Sequence, residues 1–126
     1  PLSPAEVDED YAVVMETAHL LSKGPGAWPD GLTLDDNLID LAWHEREFTC
    51  RRSFAWILRD GQGLYLGCFY IYPDIWQRGS AKVVLWLRDR PDRVSLAQTI
   101  KASLTVWAAK NVPDTVTLRW QCNPDV

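Results

Sequence analysis

The chain has 126 residues, 47% apolar and 24% charged, which suits one globular domain, residues 1–126, with a core of its own. A formal charge of −4 and no apolar run of bilayer length argue against nucleic-acid and membrane binding. Cys50, Cys68 and Cys122 are an odd number without CxxC spacing, which reads as reduced thiols in a cytoplasmic protein.

Ser3, Pro4 and Glu6 spell a helix start, with Ser3 and Glu6 as a capping box. Val7, Tyr11, Val14, Ala18 and Leu21 then recur at helical spacing, and the glycines and prolines of KGPGAWPDG stop the helix. Thr33 and Asp36 repeat the capping pattern. The second helix carries Leu34, Leu38, Leu41 and Phe48 on one stripe and runs to about Cys50. The period then changes. Phe54–Leu58 and Leu64–Tyr72 read as a hairpin broken at Asp60-Gly61-Gln62-Gly63. Ala81–Leu87 is a third, nearly all-apolar strand and therefore central. Ser95 and Gln98 form another capping box, opening a third helix faced by Leu96, Ile100, Leu104 and Trp107. Thr115 to about Cys122 is a last strand.

The order helix, helix, strand, strand, strand, helix, strand predicts an α+β domain with a mixed central sheet flanked by helices. The crossover through the third helix makes the last two strands parallel. Charge is split along the chain. Residues 1–47 hold eleven acids against Lys23 and Arg46, while residues 78–110 hold seven bases against Asp89 and Asp92. Such a split can steer an anion to one region, or it can be two solvated faces. The junction RDRPDRVS, Arg88 to Ser95, is its sharpest point. It is either an anion site at a helix N-terminus or a surface connection whose arginines pair with Asp89 and Asp92.

With these elements in place the chain resembles the GNAT acetyltransferase superfamily, in particular a small bacterial subgroup. The resemblance rests on the element order and on YAVVMET, DNLIDLAWHEREF, GCFYIYP and VVLWLR, and it covers nearly the whole chain. It implies acetyl-CoA as cosubstrate and transfer of its acetyl group to an amine. The pantetheine arm would lie along Val83–Leu87, touching Leu85, Trp86 and Leu87. The pyrophosphate would sit at the next helix start, near Arg88, Arg90, Arg93 and Ser95. The family's loop there is R/Q-x-x-G-x-G/A, and this chain has no glycine in it. The family also continues past the last strand, so the implied fold is C-terminally shortened, with a sheet edge that a second copy, in a homodimer, would cover. The alternative is a GNAT-like binding or interaction module without the CoA pyrophosphate loop and without catalysis.

Few residues offer chemistry. Glu47, on the second helix, is the candidate general base. His44 lies nearby and reads as an ordinary helix residue. HERE lacks the second histidine of a zinc motif, so no metal is expected. Tyr70 and Tyr72 share one face of their strand and either line an acceptor pocket or pack with their hydroxyls toward water. Lys82 stands where the family often places an acid, and a lysine there repels an ammonium group. Trp56, Trp86 and Trp120 on strands and Trp43 and Trp107 on helices read as core. Trp28 and Trp76, in loops, read as lids over a cleft or as packed onto the sheet. Cys68 reads as a packing residue, not a nucleophile.

Overall fold

The computed structural model describes residues 1–126. The Glu6 carboxylate accepts hydrogen bonds from the Ser3 N–H at 3.1 Å and the Ser3 hydroxyl at 2.7 Å. This fixes a 3-10 turn over Pro4–Glu6 that leads into α1, Val7–Leu21. Thr33 opens α2, Leu34–Thr49: its hydroxyl accepts the Asp36 N–H at 3.1 Å, and its own N–H donates to the Asp36 carboxylate at 3.2 Å. The buried face of α2 differs from the apolar stripe. Leu34 and Leu38 are each 42% exposed, whereas Asn37, Leu41 and His44 are buried. On α1 the fully buried positions include Asp10 and Thr17 beside Val13, Val14 and Leu21. Polar residues can sit inside because Asn37 donates to Asp10 at 2.8 Å, so the two helices meet through a satisfied polar pair.

The sheet holds β1 (Phe54–Arg59), β2 (Tyr65–Pro73), β3 (Ser80–Leu87) and β4 (Thr117–Asn123), in that spatial order. β1/β2 and β2/β3 are antiparallel and β3/β4 is parallel, as the crossover requires. The hairpin turn is organised by the Asp60 side chain, which accepts from the N–H groups of Gln62 and Leu64. Gly63, at φ +85°, supplies the left-handed residue. Beside this turn, the register between β1 and β2 slips between Leu58 and Arg59, opposite Gly67. There β2 and β3 run so close that a Cβ on Gly67 would stand 2.0 Å from the Trp86 carbonyl oxygen and 2.8 Å from the Leu87 Cα. The chain start is tacked to β1: Leu2 is buried, and its N–H donates to the Ala55 carbonyl at 2.9 Å. β4 bounds the sheet on the other side.

The third helix, α3, spans Arg93–Asn111 and begins two residues before Ser95. Ser95 therefore lies inside the first turn. Its hydroxyl donates to the Asp92 carbonyl at 3.0 Å instead of capping with Gln98. β4 starts at Thr117 because Thr115 and Val116 are held in a turn, with the Val116 N–H bonded to the Pro113 carbonyl. The sheet separates two cores. Phe69, Ile71, Val83, Leu85 and Leu87 face α3 with Trp120 and Cys122. Cys68, Tyr70 and Trp86 face α1 and α2 with Val14, Leu21 and Leu41. No helix is long and apolar enough to cross a membrane.

Candidate functional site

On the α1/α2 side the helices do not cover the whole sheet. Three rows of partners cross β2, β3 and β4 on this face: Tyr72, Lys82, Arg119; Tyr70, Val84, Gln121; and Cys68, Trp86, Asn123. Over them lies a cleft of about 510 Å³, within the usual size for a small-molecule site. α2 contributes Asp40 and His44, and the α1–α2 connection contributes Lys23, Ala27 and Trp28. The walls are largely aromatic. Tyr70 and Tyr72 stack at 5.6 Å, Trp28 meets Trp86 edge-on at 6.4 Å, and Trp86 Nε1 donates to the Tyr70 hydroxyl at 3.2 Å. His44 is buried against Tyr70, its ring 5.3 Å away. Its Nε2 stands 3.4 Å from the Asp40 carboxylate, and its Nδ1 has no partner.

Beneath the cleft lies a closed polar network. Tyr65 donates to Asp10, which also receives Asn37, and the Cys68 Sγ stands 2.8 Å from the Tyr65 hydroxyl. Burial raises the Asp10 carboxyl above its ordinary value, against the lowering effect of these hydrogen bonds. Burial, helped by the Asp10 charge, pushes the Cys68 thiol up to about 12. Cys68 therefore stays a thiol at neutral pH, in keeping with a packing role. Burial likewise holds Tyr70 and Tyr72 above the ordinary phenol value, so both hydroxyls keep their protons.

The cleft brings together Tyr70, Tyr72 and Trp86 from the sequence-derived set, and Leu85 borders it while its side chain lies in the opposite core. Leu87 lies in the opposite core against Ala97, under α3. Glu47 does not reach the cleft: it is one turn farther along α2, and Arg52 holds it through two hydrogen bonds of 2.8 and 3.0 Å. Asp40 and His44 are the titratable side chains that α2 brings to the cleft. The signal for them was the i, i+4 spacing on the helix that also carries Asn37 and Leu41.

The arginine junction is occupied by the protein itself. Arg88 donates to Glu16 at 2.8 Å and to the Tyr65 carbonyl at 3.1 Å. Arg90 pairs with Asp92, as the surface-connection reading has it. Arg93, expected to be exposed, is 9% exposed. Its Nε donates to the Leu87 carbonyl at 2.9 Å, and one terminal nitrogen donates to the Asn123 backbone and side-chain oxygens at 3.1 and 2.7 Å. It fastens the C-terminal ends of β3 and β4 together. β3 is also paired on both edges, as far as Leu87 with β2 and Trp86 with β4. The apolar wall formed by Val84 and Trp86 on the cleft face of β3 fits an acyl arm. The loop, lacking glycine and with its arginines engaged, does not fit a pyrophosphate.

Arg93→Met is expected to cost about 2–3 kcal/mol in urea unfolding, the worth of hydrogen bonds from a charged donor. Arg93→Lys is expected to recover little, because one ammonium cannot fork between two strands.

Trp76 is 97% exposed and covers nothing, contrary to the lid expectation, whereas Trp28 does overhang the cleft. Trp43 and Trp107 are also partly exposed. No three His, Cys, Asp or Glu side chains gather as a metal-binding group.

The paired N-terminal helices, the mixed four-stranded sheet and the crossover helix give an α+β fold that matches the fold of a solved acetyltransferase-like structure. A solved structure from Vibrio cholerae, assigned as a ribosomal-protein-serine acetyltransferase, superposes with a TM-score of 0.71. The match covers 98% of this chain and 68% of that one at 13% identity, which is a likeness of fold. No family model and no curated protein matches the chain in sequence.

Proposed function

We propose that the chain is a GNAT-like acyltransferase whose acyl acceptor, an amine, enters the aromatic cleft. One observation carries this reading: a single cleft is lined both by Trp86 on β3 and by Tyr70 and Tyr72 on β2. These are the residues that the family resemblance assigns to the donor arm and that the strand pattern assigns to the acceptor. Acetyl-CoA would supply the activated acyl group. The chain's own residues hold the acceptor between aromatic rings and exclude water from it. His44 is the base in this reading and takes the proton that the amine loses at Nε2, the nitrogen that faces Asp40, since Nδ1 is buried. Asp40 balances the charge that His44 then carries.

A second reading, a non-catalytic binding module of the same fold, is favoured by the closed β3/β4 seam and the engaged arginines. Calorimetric titration with acetyl-CoA and with free CoA, paired with thiol release in the presence of an amine panel, separates the two. Under the transferase reading acetyl-CoA binds, thiol is released with at least one amine, and His44→Gln slows release by about a hundredfold, the usual worth of a general base. Absence of both binding and release selects the module.

A further inference from the structure

The cation at the floor of the cleft has no anion. Lys82 is half-buried on β3, and no carboxylate lies within ion-pair distance of it. Its cross-strand neighbours are Tyr72 on one side and Arg119 on the other. Two cations facing each other across a ladder repel. Asp74 answers only one of them, gripping Arg119 with both oxygens at 2.7 Å. The remaining charges at the cleft are Lys23 and Asp40, and Asp40 is turned to His44. A protein with a net charge of −4 thus keeps a local excess of positive charge inside an aromatic pocket.

We propose that this cleft takes a ligand carrying a carboxylate on an aromatic or apolar body, with Lys82 reading the carboxylate. The proposal rests on the reading of the cleft as an acceptor site and narrows the acceptor to an amino-acid-like molecule. Lys82 is a compact point charge, suited to one carboxylate. The guanidinium groups of the β3–α3 junction are committed elsewhere, Arg88 to Glu16, Arg90 to Asp92 and Arg93 to the strand ends. The rings of Trp28, Tyr70, Tyr72 and Trp86 supply flat apolar walls for the ligand's body.

The test uses three probes without any acyl donor, followed by tryptophan fluorescence and calorimetry: L-phenylalanine, phenylacetate, and phenethylamine, which lacks the carboxylate. The two carboxylates are expected to bind at least about tenfold more tightly than phenethylamine, the loss of a charge-assisted hydrogen bond. Lys82→Met should remove that preference while leaving the melting temperature near that of the parent, and Lys82→Arg should restore part of it. Equal binding of phenethylamine, an unchanged preference in Lys82→Met, no binding of any probe, or stronger binding of inorganic phosphate would each overturn the proposal. Thiol release from acetyl-CoA is scored separately. Carboxylate binding without release keeps this inference and removes the transferase reading. Release with amines that lack a carboxylate, indifferent to Lys82→Met, does the reverse.

Discussion

A Gly67→Ala chain is expected to lose more than about 3 kcal/mol of stability, beyond the ordinary cost of overpacking, or to fail to fold. The obstruction is backbone, not a side chain that could swing aside. The new methyl would collide with the Trp86 carbonyl oxygen and the Leu87 Cα, and the Gly67 φ of +155° is one that side-chain-bearing residues rarely adopt. Relief requires β2 and β3 to separate where Gly67 pairs with both Leu58 and Leu87, in the middle of the sheet. Urea unfolding measures the loss. A midpoint close to that of the parent would show that β2 and β3 leave room for a methyl group at this position.

The second large effect lies under the cleft. Asp10→Ala is expected to cost about 2–4 kcal/mol, because it leaves the buried Tyr65 hydroxyl and Asn37 amide without their acceptor. Asp10→Asn keeps an acceptor and a donor in the same volume and should cost much less. The two proteins should also differ with pH. Since burial raises the folded Asp10 value above 3.8, the folded state holds its proton longer than the unfolded state does. The stability Asp10 contributes is therefore full below about 3.8 and declines as pH rises through the elevated value. The asparagine chain has no such decline. Its stability relative to the parent should improve as pH rises across that window, and a flat or falling difference in parallel urea titrations would remove the assignment.

The fold was legible because its signals are local. Ser3 with Glu6 and Thr33 with Asp36 mark two helix starts, Asp60 to Gly63 marks the hairpin, and the spacing from Leu87 to Thr117 leaves room for a crossover helix and so dictates a parallel pair. The candidate cleft was legible only through its strands. Strand periodicity puts Tyr70 and Tyr72 on one face, and the structure puts the cleft there. Glu47 and Arg93 were misread for one reason: each is captured by a partner that only the tertiary structure supplies. Arg52, beyond the helix end, takes Glu47, and the carbonyl ends of two strands take Arg93. A charged residue between charged residues looks solvated in sequence, whereas a guanidinium can be buried once it finds several oxygens. Leu34 and Leu38 fail in the opposite sense, since an apolar stripe does not reveal that Asn37 has a partner inside and that His44 packs on Tyr70.

The two margins of the sheet are unlike. On β1, the buried Leu2 takes the Ala55 carbonyl, so that margin is partly closed by the chain itself. On β4 the outward backbone groups face no strand. A strand arriving from outside therefore meets the less covered margin at β4. Two copies meeting there by a twofold axis would use up both bare margins at once, so growth would end at the pair. Had β1 been bare as well, each addition would have presented a fresh margin to the next copy, and the same contact would have led to an open-ended fibre.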